Sequence, residues 1–214
     1  MNLKIFRISQ KRYALKFNLK WWVFRLRLKR HLEFLYQSTD PWDLEKDITA
    51  IVSELSSFLK AKQFKHILDI GGGEGAFLPL LHSHAPFVEC VEISKKAIRK
   101  AKQKSATTLF FQSNIHDFEL GNNKYDLILM SFVVDYLGFD RFPERFAFLL
   151  LRISKALVME GFFIIVNPLY REEDIKKYKK MEVMLQNFKL QSLQKKVIQG
   201  EEYKIIVWVL TKPG

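Results

Sequence analysis

The chain has 214 residues, 48% of them apolar, with a formal net charge of +12 and a single cysteine. That length suits one domain, or one domain with an appendage, and the apolar share is enough for a real core. No run approaches the ~18 apolar residues of a membrane span. Cys90 alone excludes a disulfide framework; set in an apolar strand, it reads as buried core in a reducing, cytoplasmic setting.

The charge is unevenly spread. Residues 1–31 hold ten Lys or Arg and no acid, while the other 25 basic residues face all 23 acids, so the body is nearly neutral. This arm interleaves cations with large apolar groups. Phe17, Trp21, Phe24, Leu28, Leu32 and Leu35 fall along one helical face, although Leu15 to Trp21 and Phe24 to Leu28 also alternate as strands do. A helix from about Asn18 to Gln37 is expected, because no turn residue breaks the run. Three readings of the arm (residues 1–37) stay open. It packs its stripe on the body with the basic face solvated, or residues 1–31 meet an anionic membrane surface, or they grip nucleic acid. Lys and Arg interrupt any uncharged apolar core, which excludes a secretory signal.

A turn-like entry, Ser38 to Trp42, precedes an expected helix from about Asp43 to Lys60. Ser38 or Asp40 would cap it and Pro41 would sit near its first turn. Ile48, Ile51, Val52, Leu55, Phe58 and Leu59 give its apolar stripe. Trp42 either packs or helps wall a pocket.

Residues 65–94 organise the rest. An apolar run, Ile67 to Ile70, breaks into Gly71, Gly72, Gly73 and Gly75; a helical pattern follows at Phe77, Leu78, Leu80 and Leu81, and a second apolar run ends on Glu92. Strand, glycine turn, helix, strand, acid points to a nucleoside-bearing cofactor across the end of a parallel sheet. Glycines let backbone approach a ligand, and the terminal carboxylate can accept both ribose hydroxyls. Further strands are expected near 108–112, 125–130 and 162–166, and helices near 75–84, 94–104, 141–157 and 171–184. Phe188–Val197 and Tyr203–Thr211 flank a Gln-Gly-Glu-Glu turn as an antiparallel hairpin. The fold class is α/β: a Rossmann-like, seven-stranded, mostly parallel sheet closed by that hairpin, with helices on both faces and a basic helical arm.

Over residues 38–211 the order of motifs resembles the class I S-adenosylmethionine-dependent methyltransferases. Asp69-x-Gly71-x-Gly73-x-Gly75 is similar to that family's first motif, and lacks the two-residue gap between second and third glycines that dinucleotide binders show. Glu92 matches the ribose-binding acid and Ile93 follows it. Asn114 and Ile115, in Phe111-Gln-Ser-Asn-Ile, match the adenine-contacting turn, with Ser113-Asn114 where Gly-Asp is common. Tyr125 to Ser131 matches the fourth-strand motif, and Glu160-Gly161 resembles the turn before the fifth. The resemblance implies a methyltransferase domain over 38–214 with S-adenosyl-L-methionine as cofactor. It implies Asp69, Gly71, Gly72, Gly73, Gly75, Glu92, Ile93, Asn114, Ile115, Ser131 and Trp42 as the residues that hold it.

Asp40-Pro41-Trp42, with Glu45 after it, is similar to the nodulation-protein-S type of N-methyltransferase, which implies a small-molecule or glycan- or lipid-linked acceptor methylated on N or O. That type carries an acid where Phe132 stands here, and a Tyr at Asp135. An RNA or protein methyltransferase using the arm, or a non-catalytic partner subunit of the same fold, are the alternatives.

Asp135 and Tyr136, just past the fourth strand, are the candidate catalytic pair. Asp135 would take the acceptor's proton or hold its ammonium, and Tyr136 would close the pocket; capping and packing are their plain alternatives. His116-Asp117 is either a His–carboxylate pair or a solvated turn. His82 and His84, two apart on a helix, point to opposite sides and make a poor metal site, so no metal is expected. The basic run Arg171 to Lys180 is expected to be a solvated helix face balanced by Glu172, Glu173, Asp174 and Glu182.

Overall fold

The computed structural model describes residues 3–38, 44–169, 172–200 and 204–214, with the side chains of the first helix described from Asn18 onward. Helix α1 (Leu3–Leu35) leads into α2 (Leu44–Leu59). The body then alternates β1 (His66–Ile70), α3 (Leu78–His84), β2 (Phe87–Glu92), α4 (Lys95–Lys104), β3 (Leu109–Gln112) and β4 (Tyr125–Ser131). After a 3₁₀ turn at Val134–Leu137 come α5 (Pro143–Ala156), β5 (Leu157–Leu169), α6 (Glu172–Asn187), β6 (Gln191–Gln199) and β7 (Lys204–Thr211).

The strands form one seven-stranded sheet in the order β3-β2-β1-β4-β5-β7-β6. The first five are mutually parallel, and β7 runs antiparallel between β5 and β6. The expected α/β class and terminal hairpin are both borne out. Because helices cover both faces, central strands read as unbroken apolar runs rather than alternating ones. Leu68, Ile128, Met130, Phe163 and Trp208 turn to one face, where α5 (Phe146, Leu149, Ile153) and α6 (Met181, Leu185) pack. Ile67, Leu127, Leu129, Ile164 and Val207 turn to the other, under α2 (Ile51, Leu55, Leu59) and α3 (Leu78, Leu81). The order reverses at β1, with β2 on one side and β4 on the other, and the carboxyl ends there open a crevice.

Two boundaries differ from expectation by more than three residues. The arm is helical from Leu3, not from about Asn18: residues 3–17 hold no Gly or Pro to stop the helix from propagating. The strand-like alternation in the arm loses to the helical stripe because that stripe has somewhere to go. Trp21 is buried, its ring edge-on to Phe142 (centroids 5.0 Å) and His116 (4.8 Å), with Phe24 against Phe142 (5.4 Å). Strand β5 starts at Leu157, five residues early, and Glu160-Gly161 is a kink inside it, with Glu160 at φ 60° and a register shift between Tyr125 and Leu127. Glu160 N–H still donates to Lys212 C=O (2.8 Å), so the kink keeps its ladder bond to the chain end.

Candidate functional site

The carboxyl end of β1 runs into the glycine turn, where Gly75 N–H donates to Gly72 C=O (2.8 Å). Above it lies a cavity of about 320 Å³, within the range of small-molecule sites. Gly71, Gly72, Gly73, Glu92, Ile93, Asn114, Ile115 and Ser131 line it, so eight of the eleven residues expected to hold a cofactor come together. Gly75 faces away and packs on Leu78 and Ala101. Trp42, with Asp40 and Pro41, lies outside the described residues.

Asp69 sits beneath the turn rather than on its surface. It is fully buried, and neither carboxylate oxygen has a hydrogen-bond partner among the described residues. Gly72 explains how it fits: a Cβ there would stand 2.4 Å from Asp69 Oδ2 and 2.7 Å from Cys90 Sγ. Burial, and after it the neighbouring Glu92 carboxylate, push the Asp69 pKa up to about 7. Glu92, at the tip of β2, accepts from Ser94 N–H (2.7 Å) and Gly73 N–H (3.2 Å). Burial raises its pKa nonetheless, against those donors.

Two buried carboxylates, one without a partner, ask for a cation and for hydroxyl donors. The ammonium and ribose of S-adenosylmethionine supply both, so the donor set fits that group. Asn114 Oδ1 is occupied by His116 N–H (3.0 Å), so what it can offer a ligand is its amide N–H₂.

The helices roof this cavity. Leu28, Leu32 and Tyr36 from α1 and Ile48 from α2 join its lining. Gly73, at φ +53°, is held under Tyr36: a Cβ there would meet the Tyr36 hydroxyl at 2.7 Å. Leu28 and Leu32 were visible as members of the arm's stripe; that this stripe closes a site was not, and Tyr36 carried no signal. Phe132, where the resemblance leads one to expect an acid, takes a left-handed φ of 57° and walls the cavity with Val133. Backbone strain of this kind concentrates at binding sites.

Beyond the 3₁₀ turn the structure separates the proposed catalytic pair. Side chains in a 3₁₀ helix step by a third of a turn, so Val134 and Leu137 share the buried side while Asp135 and Tyr136 diverge. Tyr136 lines the cavity. Asp135 does not; it faces a neighbouring groove of about 750 Å³ between α1 and the start of α5. There it is ion-paired with Lys177, whose Nζ is 3.6 Å from Asp140 Oδ2. Burial lowers the Lys177 pKa, and the α6 basic run is thus not uniformly solvated. Leu28 and Tyr136 belong to both spaces, which makes the groove an antechamber of the cavity.

His116-Asp117 is neither of the two things expected. The His116 ring packs under Trp21, Nε2 lies 3.2 Å from Leu137 C=O, and burial brings its pKa down to about 4. Asp117 turns outward to Arg25. His82 bonds Thr108 Oγ1 (2.7 Å) and His84 bonds Lys62 C=O (2.9 Å). Among the described residues no group of three or more His, Cys, Asp or Glu is placed to hold a metal.

Residues 68–165 match the family model described as a methyltransferase domain. The match runs from β1 into β5, and the fold around it is one that S-adenosylmethionine-dependent methyltransferases of known structure share. Among solved structures it is similar to the N-methyltransferase NodS from Bradyrhizobium japonicum in complex with S-adenosyl-L-homocysteine, with a TM-score of 0.75 at 19% identity, over 87% of this chain and 99% of that one. S-adenosylmethionine-dependent methyltransferases from Leishmania major (TM-score 0.67, 17% identity, 86% and 82% covered) and Aquifex aeolicus (0.61, 17%, 85% and 98%) share the fold. No curated protein matches the chain by sequence.

Proposed function

We propose that this protein transfers a methyl group to a nitrogen or oxygen of a small-molecule or glycan- or lipid-linked acceptor. The observation that carries the reading is the groove joined to the cofactor cavity through Tyr136 and Leu28. Its wall mixes Leu19, Val23 and Phe24 with Lys20, Arg27, Arg141, Asp135 and Asp140, which suits an amphipathic acceptor bearing polar groups. Residues 38–214 form the methyltransferase domain, and residues 1–37 the arm that roofs it.

Bound S-adenosylmethionine supplies an electrophilic methyl on a sulfonium. The chain's part is to hold and to orient. Glu92 would hold the ribose hydroxyls, Asp69 the ammonium through the glycine turn, and Asn114 the adenine edge. Ile93, Ile115 and Ser131 would fill in around them. Tyr136 stands where cavity and groove meet; it would align the acceptor for in-line approach and keep water out. Asp135, released from Lys177 by an incoming ammonium, would hold that cation or take its proton.

Incubation with methyl-labelled S-adenosylmethionine and a panel of amino sugars, lipid-linked glycans, RNA and protein tests the reading. Label in the small-molecule or glycolipid fraction is expected, reduced by Tyr136→Phe and Asp135→Asn. Label confined to RNA or protein would overturn it.

A further inference from the structure

The buried stripe of α1 accounts for one of its sides. From Leu19 at the rim of the groove, the opposite side carries Trp22 and Leu26, three and four residues further on, with Phe34 two turns beyond. These are 59%, 56%, 38% and 67% exposed, a row of large apolar groups along one solvent-facing helix. Scattered exposed apolar residues need no explanation, but an aligned set does.

Cations frame the row. Lys29 and Arg30 stand between Leu26 and Phe34, and Lys96 of α4 reaches the same shallow recess of about 400 Å³, which Leu26 and Phe34 also line. The one acid there, Glu33, is engaged by Lys95 N–H (2.6 Å). Helix α4, packed beside α1, has six Lys or Arg and no acid. Residues 1–31 and α4 together hold sixteen cations without an acid, while the rest of the chain carries 19 against 23 acids. Among the described side chains, Lys29, Arg30 and Lys96 thus stand directly beside the exposed apolar row. No helix of the described residues is long and apolar enough to cross a membrane.

We infer that the outer face of α1, with the flank of α4, docks on the surface of an anionic phospholipid membrane. The helix lies in the interface plane. Trp22, Leu26 and Phe34 enter the headgroup–acyl boundary while Lys29, Arg30 and Lys96 engage lipid phosphates. The charge pattern alone would serve nucleic acid as well. The aligned apolar row favours lipid, because side chains aimed at solvent along one helix gain from a hydrocarbon boundary and a phosphate backbone offers them none. Since the inner face of the same helix roofs the cofactor cavity and walls the groove, docking would hold the groove mouth near the bilayer. The inference rests on α1 and α4 alone and stands whether or not the proposed acceptor is right.

Co-sedimentation of the full chain with sucrose-loaded vesicles tests it. Equimolar phosphatidylglycerol and phosphatidylcholine should capture the protein at low salt, pure phosphatidylcholine should not, and raised salt should weaken capture. Trp22→Glu combined with Phe34→Glu should lower the partition coefficient at least about tenfold. Phe87→Glu, at an exposed phenylalanine elsewhere, should leave it unchanged. Unaltered S-adenosylmethionine binding by the double variant shows that α1 is still folded onto the body. Absence of capture by anionic vesicles, equal capture of the double variant, or salt-sensitive RNA binding in place of vesicle binding would overturn the inference.

Discussion

Asp69 gives the sharpest quantitative handle on the site. Its carboxyl moves from an ordinary 3.8 to about 7, so burial and the Glu92 carboxylate disfavour its charged form by on the order of 4 kcal/mol. The folded carboxyl is the more basic one, so the folded chain holds the extra proton between about pH 4 and pH 7. Without cofactor, stability falls as pH rises through that window and levels off above it. A cationic ammonium lodged near Asp69 reverses this: it restores an ordinary pKa and makes binding release a proton. S-adenosylmethionine should then bind about fifty-fold more weakly at pH 5 than at pH 7, since ~1% of Asp69 is ionised at the first and half at the second. Titration calorimetry in buffers of different ionisation enthalpy measures both the affinity and the proton released. Asp69→Asn should bind at pH 7 about as the parent does at pH 5 and show little of the slope. A flat profile in the parent, or the full slope surviving in Asp69→Asn, would refute the role given to this carboxylate.

Gly73→Ala should cost cofactor affinity while leaving the sheet folded, because its φ of +53° and the Tyr36 hydroxyl 2.7 Å from the new Cβ leave no strain-free position; far-ultraviolet circular dichroism beside calorimetry separates the two effects. Trp21→Ala should destabilise the docked arm by about 3 kcal/mol or more, the usual cost of emptying a large aromatic site, seen as a lower urea midpoint. Cofactor binding should weaken with it, since Leu28, Leu32 and Tyr36 are then no longer pinned over the cavity.

The sequence carried the sheet well, because its central strands are buried on both faces and so read as plain apolar runs between turns. The glycine turn and Glu92 were legible for a related reason: few other jobs require four glycines in five residues ahead of a helix and an acid at the next strand tip. What failed to show was anything set by tertiary packing. The arm's alternation suited strand and helix alike, and only the Phe142–His116 surface that receives Trp21 decides between them. Asp135 and Tyr136 are neighbours in sequence, yet a 3₁₀ turn sends one to the cavity and the other to Lys177. His116 looked like a surface turn until α1 covered it. The kink at Glu160 read as the turn before β5 because its left-handed residue is not a glycine and the strand resumes on both sides.

Glu92 ties the tip of β2 to the glycine turn and is the side chain proposed to hold the ribose, so its removal tests the methyl-donor site most directly. Calorimetry of the full chain with S-adenosylmethionine should show stoichiometric binding. Glu92→Ala should weaken it about a hundredfold, from two hydrogen bonds to a charged group at ~1.5 kcal/mol each. A parent that does not bind S-adenosylmethionine, or a variant that binds it equally well, would contradict the assignment.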